Sequence, residues 1–164
     1  MIRYLAYGSN LHPARLGARC PSARSLGRVR LDGWGLRFHK RSHDGSGKCD
    51  LVEAPDETAW GALYTLSEAD KLVLDGIEGV GCGYAHRFLT LADGEALTYV
   101  VEPAFIDPAA QPYGWYHRFV VDGARHHGFP ADYVQQLVAV PTLVDPDSAR
   151  RALNAEILSD VSPD

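Results

Sequence analysis

Residues 57–91 read ETAWGALYTLSEADKLVLDGIEGVGCGYAHRFLTL, and the changes of period within them set the architecture. Trp60, Ala62, Tyr64 and Leu66 fall on alternate positions, the pattern of a half-buried strand. Ser67 interrupts that pattern as an N-cap, with Asp70 three residues on as a capping-box variant. Leu72, Val73 and Ile77 then recur at helical spacing and are expected to be the buried face of a helix. The helix should end near Glu78, with Gly79 just past its end. "YAHRFLTL" returns to strand and pairs, through Ala92-Asp93-Gly94, with "EALTYVV".

Upstream, residues 2–6 read as a short buried strand, and Pro13 stands where a helix over 13–19 tolerates its missing N–H. "GRVRLDGWGLRFHK" is strand, turn or bulge, and strand around Asp32-Gly33, and "RSHDGSGK" at 41–48 is a polar, glycine-rich loop. Downstream, helical spacing joins Tyr116, Phe119, Val120 and Gly123, then Tyr133, Val134, Leu137 and Val138 behind Pro130. A last helix starts at Asp145-Pro146 and carries Ala149, Leu153 and Ile157, and the tail "SDVSPD" is expected to fray. No linker or repeat divides the chain, so residues 1–160 are expected to form one domain. Strands in a run with helices gathered at the C-terminal end make it α+β, with a small mixed sheet, partly closed into a barrel, and helices around it.

The 164 residues carry a net charge of −5, with 46% hydrophobic and 23% charged residues, the balance of a soluble globular protein. No basic stripe is present to neutralise phosphates, which argues against nucleic acid as a partner. The densest basic stretch, Arg37 to Lys48, is diluted by Asp44, serines and glycines and reads as a solvated loop. Cys20, Cys49 and Cys82 lack a Cys-x-x-Cys pair, against both a disulfide framework and a structural zinc. His39, His43, His126 and His127 lack a third ligand at metal-site spacing, so no metal is assigned. Met1 leads straight into "IRYLAY" without a leader, and no apolar run approaches a membrane span, so a cytoplasmic protein without a membrane partner is expected.

Two stretches could carry chemistry. In "YGSN", Tyr7 to Asn10, a strand stops at Gly8 and turns toward a helix start. Such a turn leaves successive backbone N–H groups facing outward as an anion nest; the same residues also suit a tight turn that binds nothing. In "LDGIEGVGCGYAHR", residues 74–87, four glycines crowd around Glu78 directly after a helix. There the helix macrodipole works against a bare carboxylate and suits it to taking up a proton. The alternative is a glycine cap with an exposed glutamate beside it. Asp75 could pair with Glu78 or be a solvated helix-end residue, and Cys82 is expected to be a buried or half-buried thiol rather than a nucleophile. Trp34, Trp60 and Trp115 suit the core better than ligand stacking.

Order and combination say more than either stretch. "YLAYGSNL", then "PSA" at 21–23, then "WGALYTLSEADKLVLDGIEGVGCGY", then "WYHRFVVDGARHHGFPADYVQQL" resembles the γ-glutamylcyclotransferase family from residue 2 to about 140. The resemblance implies a small β-barrel with helices and a cavity at its edge, cofactor-free chemistry, a small-molecule γ-glutamyl substrate and a possible homodimer. It implies that Tyr7, Gly8, Ser9 and Asn10 hold the α-amino-acid end of the substrate, and that Glu78 takes the proton from its ammonium. Tyr84 and Tyr116 fall where the family places aromatic residues lining the site. Released of its proton, the α-amine would attack the γ-carbonyl, giving 5-oxoproline and a free amine. The glutathione-specific branch typically carries Leu where Asn10 stands, so γ-glutamyl dipeptides or amines are favoured over glutathione. The segments 41–48 and 107–115 are expected to shape the leaving-group pocket. Two alternatives stand beside this reading: a γ-glutamyl-amine cyclase of a biosynthetic pathway, and a non-catalytic module binding a carboxylated metabolite.

Overall fold

A computed structural model describes residues 1–159. The strands are β1 (Ile2–Ala6), β2 (Arg24–Arg41), β3 (Gly47–Leu66), β4 (Tyr84–Leu91) and β5 (Gly94–Val101), and they form one sheet in the order β2-β3-β1-β5-β4. The long β2–β3 hairpin and the short β4–β5 hairpin are each antiparallel. β1 joins them, antiparallel to β3 from Ile2↔Leu66 to Ala6↔Ala62 and parallel to β5 at Tyr4↔Leu97. The first strand of the chain is therefore the middle of the sheet, and Leu5 and Ala6 are buried there.

The helices are α1 (Pro13–Arg19), α2 (Glu68–Glu78), α3 (Gly114–His126), α4 (Ala131–Val138) and α5 (Ser148–Ser159). α3 buries Tyr116, Phe119, Val120, Gly123 and Ala124, and it lies directly on the turn that follows β1. Gly123 makes that approach possible, because a Cβ there would stand 2.5 Å from Leu11 Cβ. None of the helices of the described residues is long and apolar enough to cross a membrane. Of the tail expected to fray, Ser159 is the last residue of α5, and residues 160–164 lie outside the described residues.

Several expectations need correction. The sheet is not closed into a barrel: β2 and β4 are its two edges, with a groove of about 860 Å3 between them. Arg28, Arg30 and Arg87 stand along that groove, and pairing the two edges would have to strip water from them. Around Asp32-Gly33 the structure takes the bulge of the two readings and not the turn: β2 is one strand, its register shifting at Ser25/Gly27, Asp32/Trp34 and Arg37/Lys40. Residues 42–46 are a loop at the tip of this hairpin, but the basic residues to either side of it lie in its strands, with Lys40 buried.

In α2 the face read from Leu72, Val73 and Ile77 is the exposed one, and the single buried apolar side chain is Leu74. Asp70, Lys71, Leu74, Asp75 and Glu78 form the inward stripe instead. Polar contacts orient the helix: Ser67 accepts from the Asp70 N–H, Asp70 accepts from Ser22, and Asp75 accepts from Tyr99. In α5, likewise, Leu153 is exposed and Asn154 and Leu158 face inward.

Candidate active site

The site begins where β1 leaves the sheet. After Tyr7 the chain turns at Gly8 into a single 3-10 turn, Ser9–Leu11, and then into α1. Gly8 is required by proximity: a Cβ on it would lie 2.9 Å from Cys49 Cβ on β3. Leu11 N–H donates to the Gly8 carbonyl and His12 N–H to that of Ser9, while the N–H groups of Gly8, Ser9 and Asn10 have no partner among the described residues. Three adjacent donors are thus left available beside a pocket.

Glu78 reaches this turn from the last residue of α2. Gly79 caps the helix in the left-handed region, φ 66°, and its N–H closes on the carbonyls of Asp75 and Gly76. The cap ends the helix where the Glu78 side chain points inward. Asn10 Nδ2 donates to Glu78 Oε1 at 3.1 Å and to the Tyr4 hydroxyl at 3.0 Å. Arg19 donates to Asn10 Oδ1 at 2.8 Å and lies 3.6 Å from Glu78 Oε1. The carboxylate is therefore positioned by an amide and a guanidinium, both from the segment that follows β1. Its side chain keeps 17% of its exposure, enough to be reached from the pocket.

Tyr4, Tyr7, Gly8, Ser9, Asn10, Cys49, Glu78, Tyr84, Tyr99 and Tyr116 line one small open pocket of about 30 Å3. All seven residues singled out from sequence are brought together here. The tyrosine hydroxyls are largely committed: Tyr7 to the Tyr99 carbonyl at 2.5 Å, Tyr84 to the Cys49 carbonyl at 2.7 Å, and Tyr116 accepts from the Cys49 N–H at 2.9 Å. Burial pushes the Tyr7, Tyr84 and Tyr116 hydroxyls well above the ordinary phenol range, so they stay protonated. Burial also raises the Cys49 thiol to about 12, which leaves it unreactive. Ser9 Oγ accepts from Arg15 Nε at 3.1 Å, so this hydroxyl too has a structural partner.

Other candidates lie elsewhere. Asp75 is neither paired with Glu78 nor solvated: it accepts from Tyr99 at 2.7 Å, and its other contacts are Lys71 and His86. Cys82 is exposed, against expectation, because the glycine loop after α2 faces solvent. His39 pairs with Asp50 at 2.7 Å, and His127 meets Tyr64 and the Leu11 carbonyl; among the described residues no three ligand-type side chains could share a metal. The segments 41–48 and 107–115 meet each other, Tyr113 donating to the Asp44 carbonyl and Gly47 N–H to that of Gln111.

Arg19, Tyr4 and Tyr99 were not singled out from sequence. A usable signal existed for Arg19: Arg15 and Arg19 stand four apart on the helix that follows the Ser-Asn turn, so both face back toward it. Tyr4 and Tyr99 carry no such signal, since tyrosines in strands ordinarily fill cores.

Comparison with known proteins finds relatives of one name along most of the chain. The AIG2-like family model matches residues 58–137. Human γ-glutamylcyclotransferase is 28% identical over 145 residues, covering 84% of this chain and 77% of that one. The bovine protein of the same name is 26% identical over 162 residues, covering 94% and 84%. A solved γ-glutamyl cyclotransferase structure superposes with a TM-score of 0.79 at 22% identity, over 94% of this chain and 98% of that one, which speaks for the fold. With the Tyr-Gly-Ser-Asn turn and the glycine-bracketed glutamate in one pocket, the chain is similar to the γ-glutamylcyclotransferases over most of its length and in its fold.

Proposed function

We propose that this protein is a γ-glutamylcyclotransferase, converting γ-glutamyl amino acids, dipeptides or amines to 5-oxoproline and the free amine. The observation that carries the reading is the seat of Glu78: a single carboxylate, held at 3.1 Å by Asn10, beside a turn with three free backbone donors. The substrate's α-carboxylate docks on the N–H groups of Gly8, Ser9 and Asn10. That docking sets the α-ammonium next to Glu78, which takes its proton. The amine nitrogen then bonds to the γ-carbonyl carbon and gives up a second proton as the amide C–N bond breaks; Glu78 returns the first proton to the departing nitrogen, which takes up the second as well and leaves as an ammonium. Nucleophile and electrophile belong to one molecule, so holding it folded supplies much of the acceleration. The rings of Tyr7, Tyr84 and Tyr116 confine the glutamyl chain and exclude water. In this reading the enzyme works in the cytoplasm on a small molecule.

The test is incubation with γ-glutamyl dipeptides, γ-glutamyl amines and glutathione, following 5-oxoproline by chromatography. Turnover of at least one is expected, and none from any of them would refute the reading. Glu78→Gln keeps the shape of the side chain and removes its basicity, so turnover should fall by about 10²–10⁴-fold or more. Activity close to that of the unaltered protein would mean that another group is the base.

A further inference from the structure

Lys40 lies at the end of β2, where its backbone bridges to Ile106. Its side chain turns inward and is only 7% exposed. The ammonium sits 5.3 Å from the centre of the Tyr84 ring and 5.8 Å from that of Phe105. It also lies against Gly83, where a Cβ would stand 3.3 Å from Lys40 Nζ and 3.8 Å from the Glu78 carbonyl oxygen. Among the described residues it has no hydrogen-bond or salt-bridge partner, whereas Lys48 nearby is paired with Asp44 at 2.8 Å. Burial works against the Lys40 charge, and the Glu78 carboxylate is the strongest influence that favours it. Aromatic faces are incomplete substitutes for a counter-ion, so this buried cation is short of an anion.

Lys40 stands just outside the pocket, on the Tyr84 ring that lines it. The α-end of a γ-glutamyl group sits at the turn after β1, and the scissile amide sits at Glu78. The leaving amine must continue away from the turn. Glu78 leads through the glycine loop to Gly83 and Tyr84, and Lys40 rests on both. Lys40 packs so closely on Gly83 that a side chain there would crowd its ammonium.

We infer that Lys40 is a specificity-determining residue whose ammonium receives a carboxylate carried by the leaving amine. The enzyme thereby favours leaving groups that bear a negative charge over neutral amines of the same shape. This rests on the cyclotransferase reading above, and it concerns the opposite end of the substrate from the one gripped by residues 8–10.

A matched pair of substrates tests it: γ-glutamyl-alanine and γ-glutamyl-alaninamide differ only in the charge of the leaving group. The ratio of their kcat/KM values is measured for the unaltered protein, Lys40→Met and Lys40→Arg. Methionine keeps an apolar chain on the Tyr84 and Phe105 rings while removing the charge. The unaltered protein should prefer the acid by about 10- to 100-fold, the worth of one charge-assisted contact, expressed through KM. In Lys40→Met the ratio should fall toward one, and Lys40→Arg should recover most of it. A ratio near one in the unaltered protein, or an equal loss on both substrates in Lys40→Met, would overturn the inference while leaving the cyclotransferase reading intact. Absence of 5-oxoproline from either substrate, and from the wider panel, would instead remove that reading and this inference with it.

Discussion

Asn10 is the residue on which the site turns. Its amide nitrogen serves both Glu78 and Tyr4, and its oxygen takes the Arg19 guanidinium, so one side chain ties the turn after β1 to the end of α2. The resemblance placed it among the residues that hold the substrate's α-amino-acid end; in the structure its side chain is bonded to the Glu78 carboxylate. Asn10→Leu should lower turnover about 10- to 100-fold and cost about 1–3 kcal/mol of stability, because Tyr4 and Arg19 lose partners in a buried place. Initial rates of 5-oxoproline formation and urea unfolding check the two halves separately. Unchanged rates would show that Glu78 holds its position without this amide.

α2 shows how an element can be right in extent and wrong in orientation. Its bounds follow from Ser67 and Gly79, residues whose capping chemistry is local and therefore legible. Its inward face was not legible, because the contacts that orient it are polar and come from β5 and from the segment before β2. The clasp before α5 is built the same way. Asp145, 1% exposed, accepts from Trp115 Nε1 at 2.8 Å, from Arg150 at 2.6 Å twice and from the Asp147 N–H at 2.9 Å. The hydrogen bonds from Arg150, foremost, hold its carboxyl below the ordinary carboxylate range. A carboxyl lowered on folding stabilises the folded state above its unfolded pKa of about 4 and loses that contribution as pH falls further. Asp145→Asn should therefore lower the melting temperature at pH 7, and the gap from the unaltered protein should narrow below about pH 4. Thermal melts at a series of pH values measure this; a gap constant with pH would mean that the charge contributes nothing.

The site is an assembly of segments distant in the chain: the turn after β1, Cys49 on β3, Glu78 on α2, Tyr84 on β4, Tyr99 on β5 and Tyr116 on α3. A ligand that spans them should tighten the folded state as one body. Saturation with 5-oxoproline, at a hundred times its Kd, should raise unfolding free energy by about 2.7 kcal/mol, visible as an upward shift in melting temperature. No shift at any concentration would show that the pocket does not hold the product. The open edge between β2 and β4 is a property of the same order. Residues that look barrel-like along each strand say nothing about whether the last edge meets the first.

Local chemistry decided a good deal without any contact being known. Pro13 starts a helix, Ser67 and Gly79 bound another, Asp93-Gly94 closes a hairpin, and Gly8-Ser9-Asn10 leave backbone donors unpaired among the described residues. Each depends on one residue's preferred dihedrals or on a hydrogen bond a few residues away, so it can be read from the string. Which face of α2 turns inward, whether the sheet closes, and that Arg19 and Asn10 grip Glu78 while Lys40 is buried without a partner among the described residues depend on residues far apart in sequence. Those outcomes follow from packing and from the cost of burying charge, and both are set only when the segments meet.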